Sequence, residues 1–175
     1  MKGVVFTEFM EFVEGKYGFD AVDAMIESSG LSGVYTQAGN YPFEEMLALV
    51  LALCKEENVE LADVVESYGV HLFPILVSLY PHIDTFTSSF DIISHVDNII
   101  HPEVQKLYPD ADLPSFKTIE QSADKIVLEY ISNKPLHNLA KGLMLGAAAY
   151  YKENITVTIH HDVSPIQIEV IKHNG

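Results

Sequence analysis

His101 stands directly after an apolar run and directly before a proline, in "NIIHPEVQKLYPD". Proline has no N–H to donate and its ring crowds the carbonyl four residues earlier, so Pro102 either kinks a helix or opens a new one. In both cases the imidazole leaves the regular ladder and can be aimed by the flanking segments. An imidazole so placed can ligate a metal, and it can equally be a junction histidine bonded to a nearby carbonyl. A second set follows in "EYISNKP": Tyr130, Ser132 and Lys134 alternate, which on a strand puts all three on one face at its end. At a rise of about 3.3 Å per residue they span about 13 Å and offer a phenol, a hydroxyl and an ammonium, a set suited to two carboxylates side by side. An exposed strand end, with lysine guarding an edge, is the plainer reading of the same residues.

Other chemistry is thinly represented. The sequence has no G-x-S-x-G elbow, no glycine-rich phosphate loop and no H-E-x-x-H pair, so an enzyme finds little support. Cys54 is the single cysteine, which excludes an internal disulfide and a cysteine-rich zinc or iron–sulfur site. Within "LALVLALCKEE" it reads as a buried thiol. His160 and His161 are adjacent and on a strand would face opposite ways. His71, His82, His95, His137 and His173 show no ligand spacing.

The elements that must position these groups change character along the chain. Val5, Phe9, Phe12 and Val13 recur at three- and four-residue spacing and predict a first helix. "GFDAVDAMIESSG" predicts a second, ended by Gly30, and "NYPFEEMLALVLALCKEEN" a third, with Pro42 in its first turn. "VELADVVESYGVHLFPILVSLYP" reads as one helix or a broken pair, since Gly69 and Pro74 interrupt it. "SSFDIISHVDNII" supplies the helical approach to His101. After about residue 114 the period shortens. "DKIVLEYIS" alternates as a strand, with Ile126, Leu128 and Tyr130 on one side. "HNLAKGLMLGAAAYYKEN" returns to helix, its small residues at 146–149 allowing close packing. "ITVTIHHDVSPIQIEVIKHN" predicts a hairpin turning near Ser164 and Pro165. Helices first and an antiparallel sheet later, with one helix inserted, argue for an α+β fold. With no repeat or linker in view, residues 1–175 read as a single domain.

Ten basic against twenty-five acidic residues give a formal charge of −15, which argues against nucleic acid and anionic membrane surfaces as partners. The start, "MKGVVFTEF", shows no apolar stretch of signal-peptide length. No run approaches the roughly 18 apolar residues of a membrane span, so a cytoplasmic location is expected.

Taken together, the motifs resemble those of the haem nitric-oxide/oxygen-binding (H-NOX) family over essentially the whole length. The resemblance lies in "MKG" at the start, in "IIHPEVQKLYPDADLP", similar to the segment around the family's proximal histidine, and in "YISNK", which looks like its Y-x-S-x-R propionate motif. It implies a haem protein, with haem b (iron protoporphyrin IX) between a helical N-terminal portion and the C-terminal sheet. His101 would be the proximal iron ligand, and Tyr130, Ser132 and Lys134 would hold the propionates. Lys134 stands where the family has arginine, a point charge in place of a bidentate fork. Pro114 matches a proline that packs against the haem and helps distort it.

By position the resemblance puts Val5, Phe9, Leu76, Leu139 and Leu143 on the distal side, where some members carry a tyrosine at the place of Leu139. Without that donor the pocket should take NO and CO and hold no stable O₂. Tyr150 and Tyr151 fall too far along their helix to substitute. Some relatives carry a cysteine-built zinc site; with Cys54 elsewhere, no zinc is expected. The resemblance thus implies a stand-alone bacterial nitric oxide sensor, not an enzyme. NO would release His101 and shift the conformation read by a separate partner, a histidine kinase or a cyclic-di-GMP synthase or phosphodiesterase. The alternatives are an O₂- or redox-responsive haem sensor, or a protein-interaction module without haem.

Overall fold

Two compact units, Met1–Tyr68 and Gly69–Gly175, make up the chain in this computed structural model, which describes residues 1–80 and 85–173. In the first, α1 (Gly3–Tyr17) turns Phe9, Phe12 and Val13 inward as their spacing predicts, with Phe6 buried beside them and Val5 only half-buried. Residues of α2 (Phe19–Ser29) end where Gly30 takes a left-handed φ of 69°, a conformation cheap only for glycine. Pro42 is the N-cap of α3 (Phe43–Glu57), whose first turn carries Glu44 and Glu45 toward the positive end of the helix dipole.

Gly69 and Pro74 do not break the fourth helix: α4 runs unbroken from Leu61 to Leu79. Gly69 is there for packing. A β-carbon on it would come 2.7 Å from the Leu139 carbonyl oxygen and 2.8 Å from Gly142. A β-carbon on Gly146 would likewise meet that of Phe73 at 2.7 Å. Three small positions therefore let α4 approach α7 (His137–Tyr151) backbone to backbone. Pro74 lies on an exposed side of α4. With a mean hydropathy of 1.2, α4 is the one helix among the described residues long and apolar enough to cross a membrane by length and composition. Its apolar stretch is interrupted by Asp63, Glu66, Gly69, His71 and Pro74.

The second unit holds a four-stranded antiparallel sheet in the order β1-β2-β4-β3: β1 (Ser115–Gln121), β2 (Lys125–Ile131), β3 (Asn154–His160) and β4 (Ile166–His173). The β3–β4 hairpin turns through 161–165, as expected. Ile126, Leu128, Ile168 and Val170 are buried together with Ala140, Met144 and Ala148 of α7. Each fully buried aliphatic side chain of this kind contributes about 1.5–3 kcal/mol. Strand β1 escapes a reading of alternation because only Phe116 is buried in it and the other six residues are exposed.

Candidate functional site

His101 is delivered by a distorted helix. Helix α5 (Ser89–Ser94) is capped by Ser88, whose hydroxyl accepts from the Asp91 N–H at 3.0 Å. The next residues, Val96–Ile100, form a π-helical turn: Ile100 N–H reaches back five residues to the His95 carbonyl at 3.2 Å, and His101 N–H to that of Val96. Pro102 explains the widening, because its ring would clash with a carbonyl four residues back and it has no N–H to give. Helix α6 (His101–Leu107) follows directly. The two readings of Pro102 thus merge: the helical path continues, one residue wider.

The imidazole is mostly covered, 17% exposed. Its Nδ1 lies 3.2 Å from Oδ1 of Asp97, and the Pro114 carbonyl is a nearby acceptor that favours the protonated ring. Burial pushes the His101 pKa below its usual value, against the pull of Asp97 and of that carbonyl. A neutral ring with the Asp97 carboxylate at Nδ1 carries its proton there, which leaves the lone pair on Nε2. The other oxygen of Asp97 accepts from Ser115 Oγ at 2.6 Å and from Phe116 N–H at 2.8 Å, at the start of β1.

The second set does not form a row along a strand. Strand β2 ends at Ile131, so Ser132 and Lys134 lie past it in a turn, and only Tyr130 belongs to the strand. The turn closes on itself. Tyr130 Oη donates to the Lys134 carbonyl at 2.9 Å and accepts from Leu136 N–H at 3.2 Å, while Ser132 Oγ accepts from Lys134 N–H at 3.1 Å. Ser132 keeps its own proton to donate. Lys134 Nζ is 2.7 Å from Asp112, whose carboxyl it holds below the usual range. Phe116 joins the two sets. Its ring is 6.0 Å from that of His101 and 5.6 Å from that of Tyr130, its cross-strand partner.

Leu76 and Leu143 share one apolar cluster with Ile100 and Val104, packed on Phe73, Val77, Tyr80, Phe86 and Ile92. Leu139 lies one turn earlier on α7 and is half-buried. Val5 and Phe9 belong to the first unit, where Phe9 is edge-on to Tyr68 at 5.2 Å and the Val5 carbonyl accepts from Tyr68 Oη at 2.6 Å. A haem needs a neutral imidazole with a directed lone pair, apolar side chains and a few donors for its carboxylates. His101, the Leu76–Val104 cluster and the Ser132–Lys134 turn supply these in one unit, so the residues present fit the group.

Asp97, Phe116 and Tyr80 were not singled out by sequence reasoning. Asp97 alone had a usable signal, its position one turn before His101. His137 and His161 meet with ring centres 5.0 Å apart, a pairing that sequence distance hides. His161 lies just past the end of β3, so it and His160 are not neighbours on one strand. His82 lies outside the described residues. Among the described residues no group of three or more His, Cys, Asp or Glu could hold a metal. Cys54 is half-buried, and burial pushes its thiol pKa up, which fits an unreactive side chain.

The haem-NO-binding family profile matches residues 2–159. Among solved structures, the chain is similar to the Fe(II) unliganded H-NOX protein from K. algicida (32% identity, TM-score 0.93, covering 100% of this chain and 98% of that one). It is also similar to the H-NOX protein from S. oneidensis in the Fe(II)NO ligation state (27%, 0.89, covering 99% and 100%). A third is the IWP-051-bound H-NOX from Shewanella woodyi in the Fe(II)CO ligation state (34%, 0.83, covering 99% and 95%). A comparison with curated protein sequences gives no match.

Proposed function

The chain belongs to the haem-NO-binding, or H-NOX, family of haem-binding gas sensors, which are sensors rather than enzymes, and we propose that this member is a single-domain cytoplasmic nitric oxide sensor. Haem b, when bound, would supply a ferrous iron able to take a diatomic gas. His101 would hold that iron through Nε2, with Asp97 and the Pro114 carbonyl orienting the ring and burial keeping it neutral. Ser132 and Lys134 would donate to the propionates, with Tyr130 bracing the turn that carries them, and Pro114 would pack on the ring. Val5, Phe9, Leu76, Leu139 and Leu143 would form the distal wall.

The observation that carries NO over O₂ is the fate of the tyrosines on α7. Tyr150 is exposed, and Tyr151 donates to the Phe86 carbonyl at 3.1 Å, while Leu139 and Leu143 on the same helix are apolar. Bound O₂ carries partial negative charge and needs a donor; NO and CO depend on one far less. If NO displaced His101, α6, tethered to it through Pro102, would be free to shift against the closed turn after β2. A histidine kinase or a cyclic-di-GMP synthase or phosphodiesterase would read that two-state change.

The alternative, an O₂- or redox-responsive sensor, has one observation in its favour. Tyr80 is a buried phenol in the same cluster as Leu76 and Leu143, and burial pushes its pKa up to about 12. Visible spectra of the purified ferrous protein under NO, CO and air decide, read beside the activity of the partner. Under NO the spectrum should show loss of the histidine, and under CO its retention, with the partner responding to NO only. A stable complex in air that disappears in Tyr80→Phe would establish the alternative. A CO response equal to the NO response would overturn the release mechanism.

A further inference from the structure

We propose that Asp97 is a positioning residue that sets the His101 ring and ties its position to the start of β1, an inference that rests on His101 binding the iron. Asp97 sits on the π-helical turn with its two oxygens facing different elements. Oδ2 accepts from Ser115 Oγ at 2.6 Å and from Phe116 N–H at 2.8 Å. Oδ1 is buried, lacks a well-formed hydrogen bond, and points to His101 Nδ1 at 3.2 Å. A buried carboxylate oxygen demands a donor, and the donor it faces is the imidazole N–H. The carboxylate therefore selects the tautomer that leaves Nε2 to the iron and raises the basicity of that nitrogen.

The other half of the same group is bonded to an edge strand. Strand β1 closes one side of the sheet, and its first two residues spend their donors on Asp97. Near this bridge an open groove of about 500 Å³ runs between the π-helical turn and β1, lined by Ser94, Val96, Asn98, Thr118 and Ile131. Asp97 is thus a narrow connection: a ring that leaves its place withdraws the donor from one oxygen and loosens the hold of the other on Phe116.

The test uses the full chain loaded with ferrous haem, in wild type, Asp97→Asn, Asp97→Glu and Ser115→Ala. Resonance Raman reads the iron–histidine stretch, and amide hydrogen exchange reads Phe116. Asp97→Asn should lower the stretching frequency, and Asp97→Glu, which keeps the charge, should restore most of it. In wild type, NO should speed exchange at Phe116 about tenfold over CO, the scale of one charge-assisted hydrogen bond. In Asp97→Asn that exchange should be fast under both gases. An unmoved band in Asp97→Asn, a Glu variant indistinguishable from it, or exchange that still follows the gas would each overturn the proposal. Should Asp97→Asn fail to fold, Ser115→Ala decides: it must keep the wild-type frequency while speeding exchange at Phe116, and a shifted band there overturns the assignment. A wild-type protein with no iron–histidine band would defeat ligation by His101. That failure is distinct from one of Asp97, where the band is present and does not move.

Discussion

The histidine segment and the turn after β2 lie within one compact unit and are held in opposite ways. Residues 96–100 are all half-buried or exposed, in a widened turn whose hydrogen bonds to the sheet run through Asp97 and whose Val96 packs against the sheet core. The turn at 132–136 is sewn shut by Tyr130, which is 5% exposed in the core of the sheet and serves two backbone groups with one hydroxyl. The first touches the core only through partly buried side chains, Val96 and Ile100, whereas the second is anchored by a buried one. A sensor whose ligand acts on one bond needs such an asymmetry, because displacement is readable only against something fixed.

Four measurements test that contrast, beginning with the largest effect. His101→Gly should cost haem affinity more than the roughly 10–100-fold typical of losing a supporting partner, with recovery when imidazole is added. An unchanged ferrous spectrum without imidazole would assign the ligand elsewhere. Tyr130→Phe removes the hydroxyl shared by the Leu136 N–H and the Lys134 carbonyl, which stay bonded to each other at 2.8 Å, and should lower urea stability by about 1 kcal/mol. A loss no larger than that of a surface substitution would show the turn to be less fixed than its bonds suggest.

Lys134→Ala should speed haem loss several-fold, on the scale of about 1 kcal/mol for a partly exposed pair, and Lys134→Arg should slow it. Equal rates in all three proteins would separate Lys134 from the propionates. The smallest effect is with pH. Burial holds the folded pKa of His101 below the ordinary 6.5. Its contribution to haem-free stability is therefore complete above that pH and is lost as pH falls through the folded value. The stability gap between wild type and His101→Gln should shrink on acidification, and a gap constant from pH 7.5 to 5.5 would contradict the sign.

The helices and the hairpin were legible because burial follows their periods, as at Phe9, Phe12 and Val13, or at Ile168 and Val170. Strand β1 was not, since a mostly exposed edge strand has no pattern to show. Gly69 misled for a related reason: a helix-breaking propensity of about 1 kcal/mol is outweighed where two helices touch backbone to backbone. At the site, His101 and the YISNK run were visible as residue types. What their spacing hid was three-dimensional: the turn that takes Ser132 and Lys134 off the strand, the bridge through Asp97, and the aromatic link at Phe116.

The π-helical turn also bears on how this sequence can diverge. A helix advances about 100° per residue, so deleting one residue between Asp97 and His101 would swing everything after it by more than a quarter turn. Pro102 and the histidine would travel together, but Asp97 would stay with the residues before it. Drift in composition is cheap in this stretch, where side chains are half-buried or exposed, whereas drift in length separates the aspartate from the ring. Relatives that keep both residues should therefore vary freely at Asn98 and Ile99 while holding the count between Asp97 and His101 constant.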